Sequence, residues 1–407
     1  MRQKLIIILL ILLYIKFFSY TGFDNVLWGR ISRILALALS IILLFQSAYR
    51  PRTFVDKTVI MLMLVPWLSL IPAYVLHGQG FMDTTMVTMQ NLTYSMYFLF
   101  SRPGYRKVNL EKILLIFGIA YCSIYIIQQF TYPTLIFSNS EFGDTSRGSN
   151  VRISLFGGEF CIILLFMAYS KVISQHKIIK PLVVFIIAIF TVYLMSVRQI
   201  YLTVAISLFL GLFLSKKIKF YQFSIVAIFA AIVYYNFDSW FGAFVEMSGK
   251  DDWSYEARSM SWAFYGITYN GGKILAILLG NGDPQTGTAY ANEISSFQSM
   301  YGENIGLWRE DIGIVGVYSV YGLVYVAVIA YFFYHVFKER KHIDLYLKLF
   351  ALYMLMEMPA IQYFTGGSGN TAANIVALYL FQASLLKNKY GIDYWHKRKN
   401  TLKPTIL

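Results

Sequence analysis

The chain has 407 residues, of which 57% are hydrophobic, 18% aromatic and only 14% charged, with a formal net charge of +14. A soluble domain is nearer half apolar and a quarter charged, so this composition excludes an ordinary soluble enzyme and predicts a protein of the bilayer. Nine prolines and no Gly/Ser-rich linker give no sign of a detachable soluble domain.

The N-terminal stretch MRQKLIIILLILLYIKFFSY has a short basic start and an apolar core without a small-residue cleavage site, which predicts an uncleaved first span. Apolar windows of about 20 residues then recur along the chain. They predict spans near 4–20, 31–48, 58–76, 84–101, 110–131, 153–170, 179–196, 199–215, 220–237, 312–337, 345–365 and 371–386. The fourth, TTMVTMQNLTYSMYFLFS, is the most polar. Cys122 and Cys161 fall inside apolar runs and read as packing residues rather than a disulfide.

Basic residues mark alternate connections. They occur as Arg2/Lys4, Arg50/Arg52/Lys57, Arg102/Arg106/Lys107/Lys112, Lys171/Lys177/Lys180, Lys216/Lys217/Lys219 and Lys338/Arg340/Lys341/Lys348, and again in the tail from Lys387 to Lys403. Most of the 35 Lys and Arg residues thus lie on one side, which the positive-inside rule makes cytoplasmic, with both termini inside. The count predicts about twelve spans. It also makes the positive charge a matter of topology: a polyanion binder would concentrate its charge on one surface, so nucleic acid is not an expected partner.

Because Lys180 and Lys216 share a side, the apolar passage 181–215 must fold as two spans, with the tip Ser196 to Gln199 at the outer interface. An arginine at a helix centre costs roughly 2.5–3.5 kcal/mol on insertion scales. At the tip the head of Arg198 can snorkel, which lowers that cost without giving the arginine a purpose.

Outer connections are short at 77–83 and 365–370 but long at 132–152 and 238–311. A connection as long as 238–311 is usually functional or disordered. Its Trp240, Trp253, Trp262 and Trp308 argue against disorder. The chain therefore divides into 1–237 (nine transmembrane helices), 238–311 (a large external loop), 312–386 (three more spans) and a basic tail, 387–407.

Outside the membrane the basic residues are mostly arginine: Arg30, Arg33, Arg147, Arg152, Arg198, Arg258 and Arg309, with Lys250 and Lys273. The planar guanidinium fork suits bidentate phosphate contacts. Arg147, Arg152, Arg198 and Arg258 come from segments that meet the outer leaflet, the depth of a lipid-linked phosphate or pyrophosphate. The plainer alternative makes them interfacial anchors or partners of Glu141, Asp144 and Glu256.

In the long loop, YEARSMSWAFYGITY (255–269) predicts a short helix along the membrane surface, with Arg258 and Trp262 on one face. Ser259, Trp262 and Tyr265 could stack against a sugar or serve as ordinary interfacial aromatics. Gly280-Asn281-Gly282, followed by Asp283, predicts a tight turn beside a bound group. Glu310 and Asp311 stand at the start of the next span, where either helix capping or a general-base role fits a carboxylate. Glu159, in RISLFGGEF, lies inside a span and is a functional candidate, with Arg152 or Arg198 as its partner. Glu357, in LMEMPA, is similar but reads as deeper and has no obvious partner.

No histidine or cysteine cluster has metal-ligand spacing, and of the histidines only His77 is expected to face outward. A P-loop, a dinucleotide fingerprint and a serine elbow are also missing from the sequence. ATP-driven transport and zinc hydrolysis are disfavoured, and neither a cofactor nor a metal is expected.

Four motifs occur in order: Arg152 with Glu159, Ser196 with Arg198, Arg258 with Trp262 and Gly280/Gly282, and Asp311 before Gly313-Ile314-Gly316. Over roughly residues 140–330 this arrangement resembles the O-antigen and capsular polysaccharide polymerase family (Wzy-type), which shares an architecture with the O-antigen ligases. The resemblance implies an all-α polytopic, GT-C-like membrane protein of the bacterial inner membrane. Its partners would be undecaprenyl-pyrophosphate-linked oligosaccharides as donor and acceptor, the lipid bilayer and a chain-length regulator. It further implies that Arg198 and Arg258 bind the departing pyrophosphate, that Arg147 and Arg152 assist at the acceptor or second lipid head, and that Glu159, Glu310 or Asp311 is the base. Trp262, Tyr265, Asn281 and Asp283 would then contact sugars. Ligases of this architecture carry a histidine near the end of the loop, where this chain has Arg309-Glu310-Asp311. A flippase is the other rival, although no internal repeat of the kind such transporters show is visible in the sequence.

Overall fold

The computed structural model describes residues 2–15, 31, 34–35, 37–39, 42, 53–102, 105–134, 136–137, 151, 153, 155–174, 178–214, 253–299, 306–366 and 370–392. Among the described residues the chain is all helical, without a strand. The helices are α1 (Arg2–Tyr14), α2 (Phe54–Leu64), α3 (Leu70–His77), α4 (Phe81–Thr88), α5 (Ser95–Phe100), α6 (Leu110–Thr131), α7 (Gly158–Ser174) and α8 (Ile179–Leu194). They continue as α9 (Arg198–Leu214), α10 (Trp253–Ala263), α11 (Ile274–Leu279), α12 (Ala289–Gln298), α13 (Gly313–Lys338), α14 (Leu345–Glu357) and α15 (Thr371–Tyr390).

Among the described residues, three stretches are long and apolar enough to cross a membrane: Phe54–His77, Leu110–Thr131 and Glu310–Lys338. Two shorter apolar helices are Ile179–Leu194 and Gln199–Leu214. The expected span 220–237 lies outside the described residues, as does most of 31–48.

α15 is the axis of the bundle. Every residue from Thr371 to Leu386 is buried, as expected of a helix enclosed on all sides. It packs on α1, α2, α5, α6, α7 and α14. A buried carboxylate fastens it: Gln382 Nε2 donates to Asp56 Oδ1 at 2.8 Å and to Oδ2 at 3.0 Å. Asp56 also receives the Tyr97 hydroxyl at 2.8 Å and closes a capping box with Thr53 at the start of α2.

Several boundaries differ from the sequence expectation for identifiable reasons. The run expected to begin at 153 becomes helical only at Gly158, because Gly157 has φ +97°, outside the right-handed helical region. The run expected to reach 365 stops at Glu357, two residues before Pro359, whose ring cannot continue the helix. The carbonyl of Met358 instead accepts the Ile314 N–H at 2.7 Å. The polar stretch expected at 84–101 is α4 and α5 joined by a 3₁₀ segment, Met89–Tyr94. Its polar side chains point inward: Asn91 Nδ2 donates to the Tyr321 hydroxyl at 3.0 Å, and Asn91 Oδ1 accepts the Gly366 N–H at 2.9 Å.

The passage 181–215 is divided as the charge argument requires. Ser196 sits in the left-handed region at φ 53° between α8 and α9. From that break α8 packs on α6 and α7, while α9 packs on α14.

α13 is bent at Gly322, whose φ of 73° takes it out of the helix. The bend releases the carbonyls of Ser319 and Val320, which accept the N–H groups of Asn281 and Gly282, each at 2.9 Å. The GNG turn after α11 is therefore a docking element for the loop. A Cβ on Gly280 would stand 2.1 Å from the Val320 carbonyl oxygen, and its φ is +79°. Gly280→Ala is expected to undock α11 from α13 and to deplete the folded protein, read as loss of the monodisperse peak on size-exclusion chromatography in detergent.

Candidate functional site

Two polar constellations form, one within the helix bundle and one where the loop meets it. In the bundle, a cavity of about 530 Å³ is lined by Tyr121 and Tyr125 of α6, Glu159 of α7, Met195 and Val197 of the α8–α9 turn, and Tyr353 of α14. Ile153, Leu155 and Ile200 complete much of the wall. This volume falls in the range of small-molecule sites. Glu159 lies in the first turn of α7, is 6% exposed, and its Oε2 has no hydrogen-bond partner among the described residues.

The cavity gathers the surroundings of two sequence motifs that lie some forty residues apart. Ile153 neighbours Arg152, and Val197 neighbours Arg198, which opens α9. The side chain of Arg198 lies outside the described residues, as do Arg147 and Arg152 altogether. Glu357, which has no obvious partner in the sequence, finds one in the structure. It ends α14, is fully buried, and its Oε1 meets the hydroxyl of Thr203 on α9.

The second constellation centres on Arg309. Its side chain is 10% exposed, and Nη2 donates to Asp283 Oδ1 at 2.9 Å. Gln90 Nε2 donates to Asp283 Oδ2 at 3.1 Å, and Gln79 Nε2 to the Asp283 carbonyl at 2.9 Å. Burial works against the charge on Arg309, but Asp283 and Glu310 outweigh it and hold its pKa above the ordinary value. His77, the last residue of α3, stacks on Tyr290 at 4.1 Å between ring centroids. Asn281 Nδ2 faces the Asn270 Oδ1 and the Ser319 carbonyl, so its Oδ1 must face His77 Nε2, at 3.1 Å. That nitrogen therefore carries a proton, while Nδ1 lies 3.4 Å from Glu293. These links tie the loop to α3, to the α3–α4 turn and to α13.

The sugar-contact expectations change accordingly. Tyr265 is fully buried in a small core with Tyr290, Ile294, Leu307 and Ile312, and its hydroxyl donates to the Leu307 carbonyl at 3.1 Å. Burial pushes that phenol up to about 12. It is a packing residue, not a stacking platform. Asn281 is 2% exposed and its amide is committed to protein partners, so it too serves the fold. Asp283 is the partner of Arg309. Trp262, 38% exposed on α10, remains open to a ligand. Tyr265→Ala is expected to destabilise the protein by about 3 kcal/mol, against less than about 1 kcal/mol for Trp262→Ala. Thermal unfolding in detergent compares the two.

Arg258 is exposed on α10, without a hydrogen bond or ion pair among the described residues. Glu310 and Asp311 are also exposed, in a 3₁₀ turn before α13, with Glu310 Oε1 3.5 Å from Arg309. Neither carboxylate is desolvated as the general-base reading required, which leaves Glu159 as the buried candidate among the three. The loop motifs and the cavity motifs thus assemble two clusters rather than one among the described residues. The Arg309 cluster was missed from the sequence. HGQG at 77–80, with its αL glycine Gly78 at φ 63° closing α3, was its only local signal.

Comparison of the chain with family models, with curated proteins and with solved structures found no match.

Proposed function

We propose that the protein is a bacterial surface-polysaccharide polymerase. It joins undecaprenyl-pyrophosphate-linked oligosaccharide repeat units at the outer face of the inner membrane, in a GT-C-like bundle of about twelve spans with both termini cytoplasmic. The observation that carries the reading is the cavity lined by Glu159 together with Ile153 and Val197, the chain neighbours of Arg152 and Arg198. It offers a buried carboxylate, which an acid–base glycosyl transfer from a phosphorylated lipid needs.

In the proposed reaction a hydroxyl of the acceptor sugar attacks the anomeric carbon of the donor. The new C–O bond forms as the bond to pyrophosphate breaks, and the bonding pair leaves with the pyrophosphate. Glu159 accepts the hydroxyl proton. Arg198 and Arg258 stabilise the charge that collects on the leaving group, and Arg147 and Arg152 hold the acceptor end. Because the donor arrives activated, the reaction needs no nucleotide. Trp262 supplies a sugar-stacking surface.

The test is reconstitution. Lipid-linked oligosaccharide is extracted from a strain lacking the protein and offered to the purified chain in vesicles. A ladder of longer lipid-linked products is expected. Intact starting material, with the protein shown to be folded, would overturn the reading.

A further inference from the structure

A second cavity, of about 800 Å³, lies between α6, α7 and α8, toward the end of α7 remote from Glu159. Its volume falls in the range of small-molecule sites. The wall is hydrocarbon: Leu115 comes from α6, Leu164 and Met167 from α7, and Val184 from α8. Among the described residues only two charged ones line it, Lys171 and Lys180, on either side of the α7–α8 connection.

Neither lysine has a hydrogen bond or ion pair among the described residues. The sequence supplies no local counter-charge either, because no aspartate or glutamate occurs between Glu159 and Asp238. The one acid of α6, Glu111, accepts the Tyr346 hydroxyl at 3.0 Å. Lys171 stands in the last turn of α7, where the helix dipole favours a cation. Lys180 stands in the first turn of α8, where the dipole opposes one. An anion held in the cavity offsets that opposition and answers both ammonium groups. A free phosphate would use the lysines and leave the hydrocarbon wall uncovered. A zwitterionic lipid would cover the wall and bring its own cation to the lysines.

We propose that this cavity binds an anionic phospholipid, with the phosphate held by Lys171 and Lys180 and an acyl chain laid along Leu115, Leu164, Met167 and Val184. The lipid braces α8 against α6 and α7. On the orientation proposed above it belongs to the cytoplasmic leaflet. The site shares no lining residue with the Glu159 cavity, so it does not rest on the polymerase reading.

Native mass spectrometry of the full-length protein in detergent reads the binding directly. The probe is palmitoyl-oleoyl phosphatidylglycerol, with phosphatidylcholine of the same chains as the zwitterionic control. Phosphatidylglycerol should bind about 10–30-fold more tightly, since each lysine near an anionic headgroup contributes about fivefold. Lys171→Gln combined with Lys180→Gln should abolish the preference. Lys338→Gln combined with Lys341→Gln, which removes two lysines outside the cavity, should keep it. Val184→Trp, which fills the cavity from a half-buried position, should weaken both lipids. Inorganic phosphate should displace neither. Equal binding of the two lipids by wild type overturns the proposal, as does a preference that survives the loss of Lys171 and Lys180. Displacement by phosphate, or a preference lost with Lys338 and Lys341, contradicts it too, the first showing a bare anion site and the second a response to net charge. Should the double variant fail to fold, Lys180→Gln alone, made at an exposed position, should cost about fivefold of the preference, and an unchanged preference contradicts the assignment.

Discussion

Glu159→Gln is expected to lower polymerisation by about 10²–10⁴-fold, the usual loss when a positioned base is removed. The substitution keeps the volume of the side chain and replaces the unpartnered Oε2 with a polar atom of similar size. The 6% exposure of Glu159 and its place in the first turn of α7 therefore survive, and the folded protein should accumulate to the wild-type level. Glu310→Gln and Asp311→Asn, made at exposed positions in the turn before α13, should leave most of the activity. Initial rates on lipid-linked substrate separate the three. If Glu310→Gln or Asp311→Asn matched the loss and Glu159→Gln did not, the base would lie in the loop and the bundle cavity would have another purpose.

The second large effect is on stability. Asp283→Ala should destabilise the protein by about 3–5 kcal/mol, because it leaves Arg309 buried without its principal counter-charge. Gln90 loses a partner at the same time, and the loop loses a link to the segment after α4. Arg309→Met combined with Asp283→Leu should cost much less than the single change, since it removes both charges rather than stranding one. Thermal unfolding in detergent reads both. A single variant that unfolds with wild type would mean that the pair does not fasten the loop.

How much of this could be read from the sequence differs by element. α6 matches the expected 110–131 because a capping Asn109 and a long apolar run mark it locally. The break at Ser196 followed from the placement of lysines on either side, although nothing in MSVRQIY itself announces a turn. The late start of α7 depends on Gly157, and a glycine in an apolar run does not reveal its φ. The bend in α13 is of the same kind: Gly322 matters because Gly280 docks against it, a contact between residues 42 positions apart.

The site divides likewise. Glu159 was visible because a carboxylate in an apolar run is anomalous by itself. Glu357 was visible for the same reason, but its partner Thr203 comes from a different helix, and no local pattern links them. Tyr265 and Trp262 look alike in sequence, three positions apart on an aromatic-rich helix, yet one fills a core and the other faces outward. Amphipathic aromatics carry too little information for composition to separate those fates. Arg309 read as one more outer arginine until Asp283, Gln90 and the helix bend were seen together.

The most direct test of the central claim is a surface-polysaccharide gel from a strain deleted for this protein and complemented with wild type, Glu159→Gln or Arg258→Ala. Deletion is expected to leave a single repeat unit on its acceptor with no ladder. Wild type should restore the ladder, and neither variant should do so fully. Long polymer retained on the lipid carrier would instead identify a ligase. Repeat units that never reach the outer face would identify a flippase, and either result would contradict the polymerase assignment.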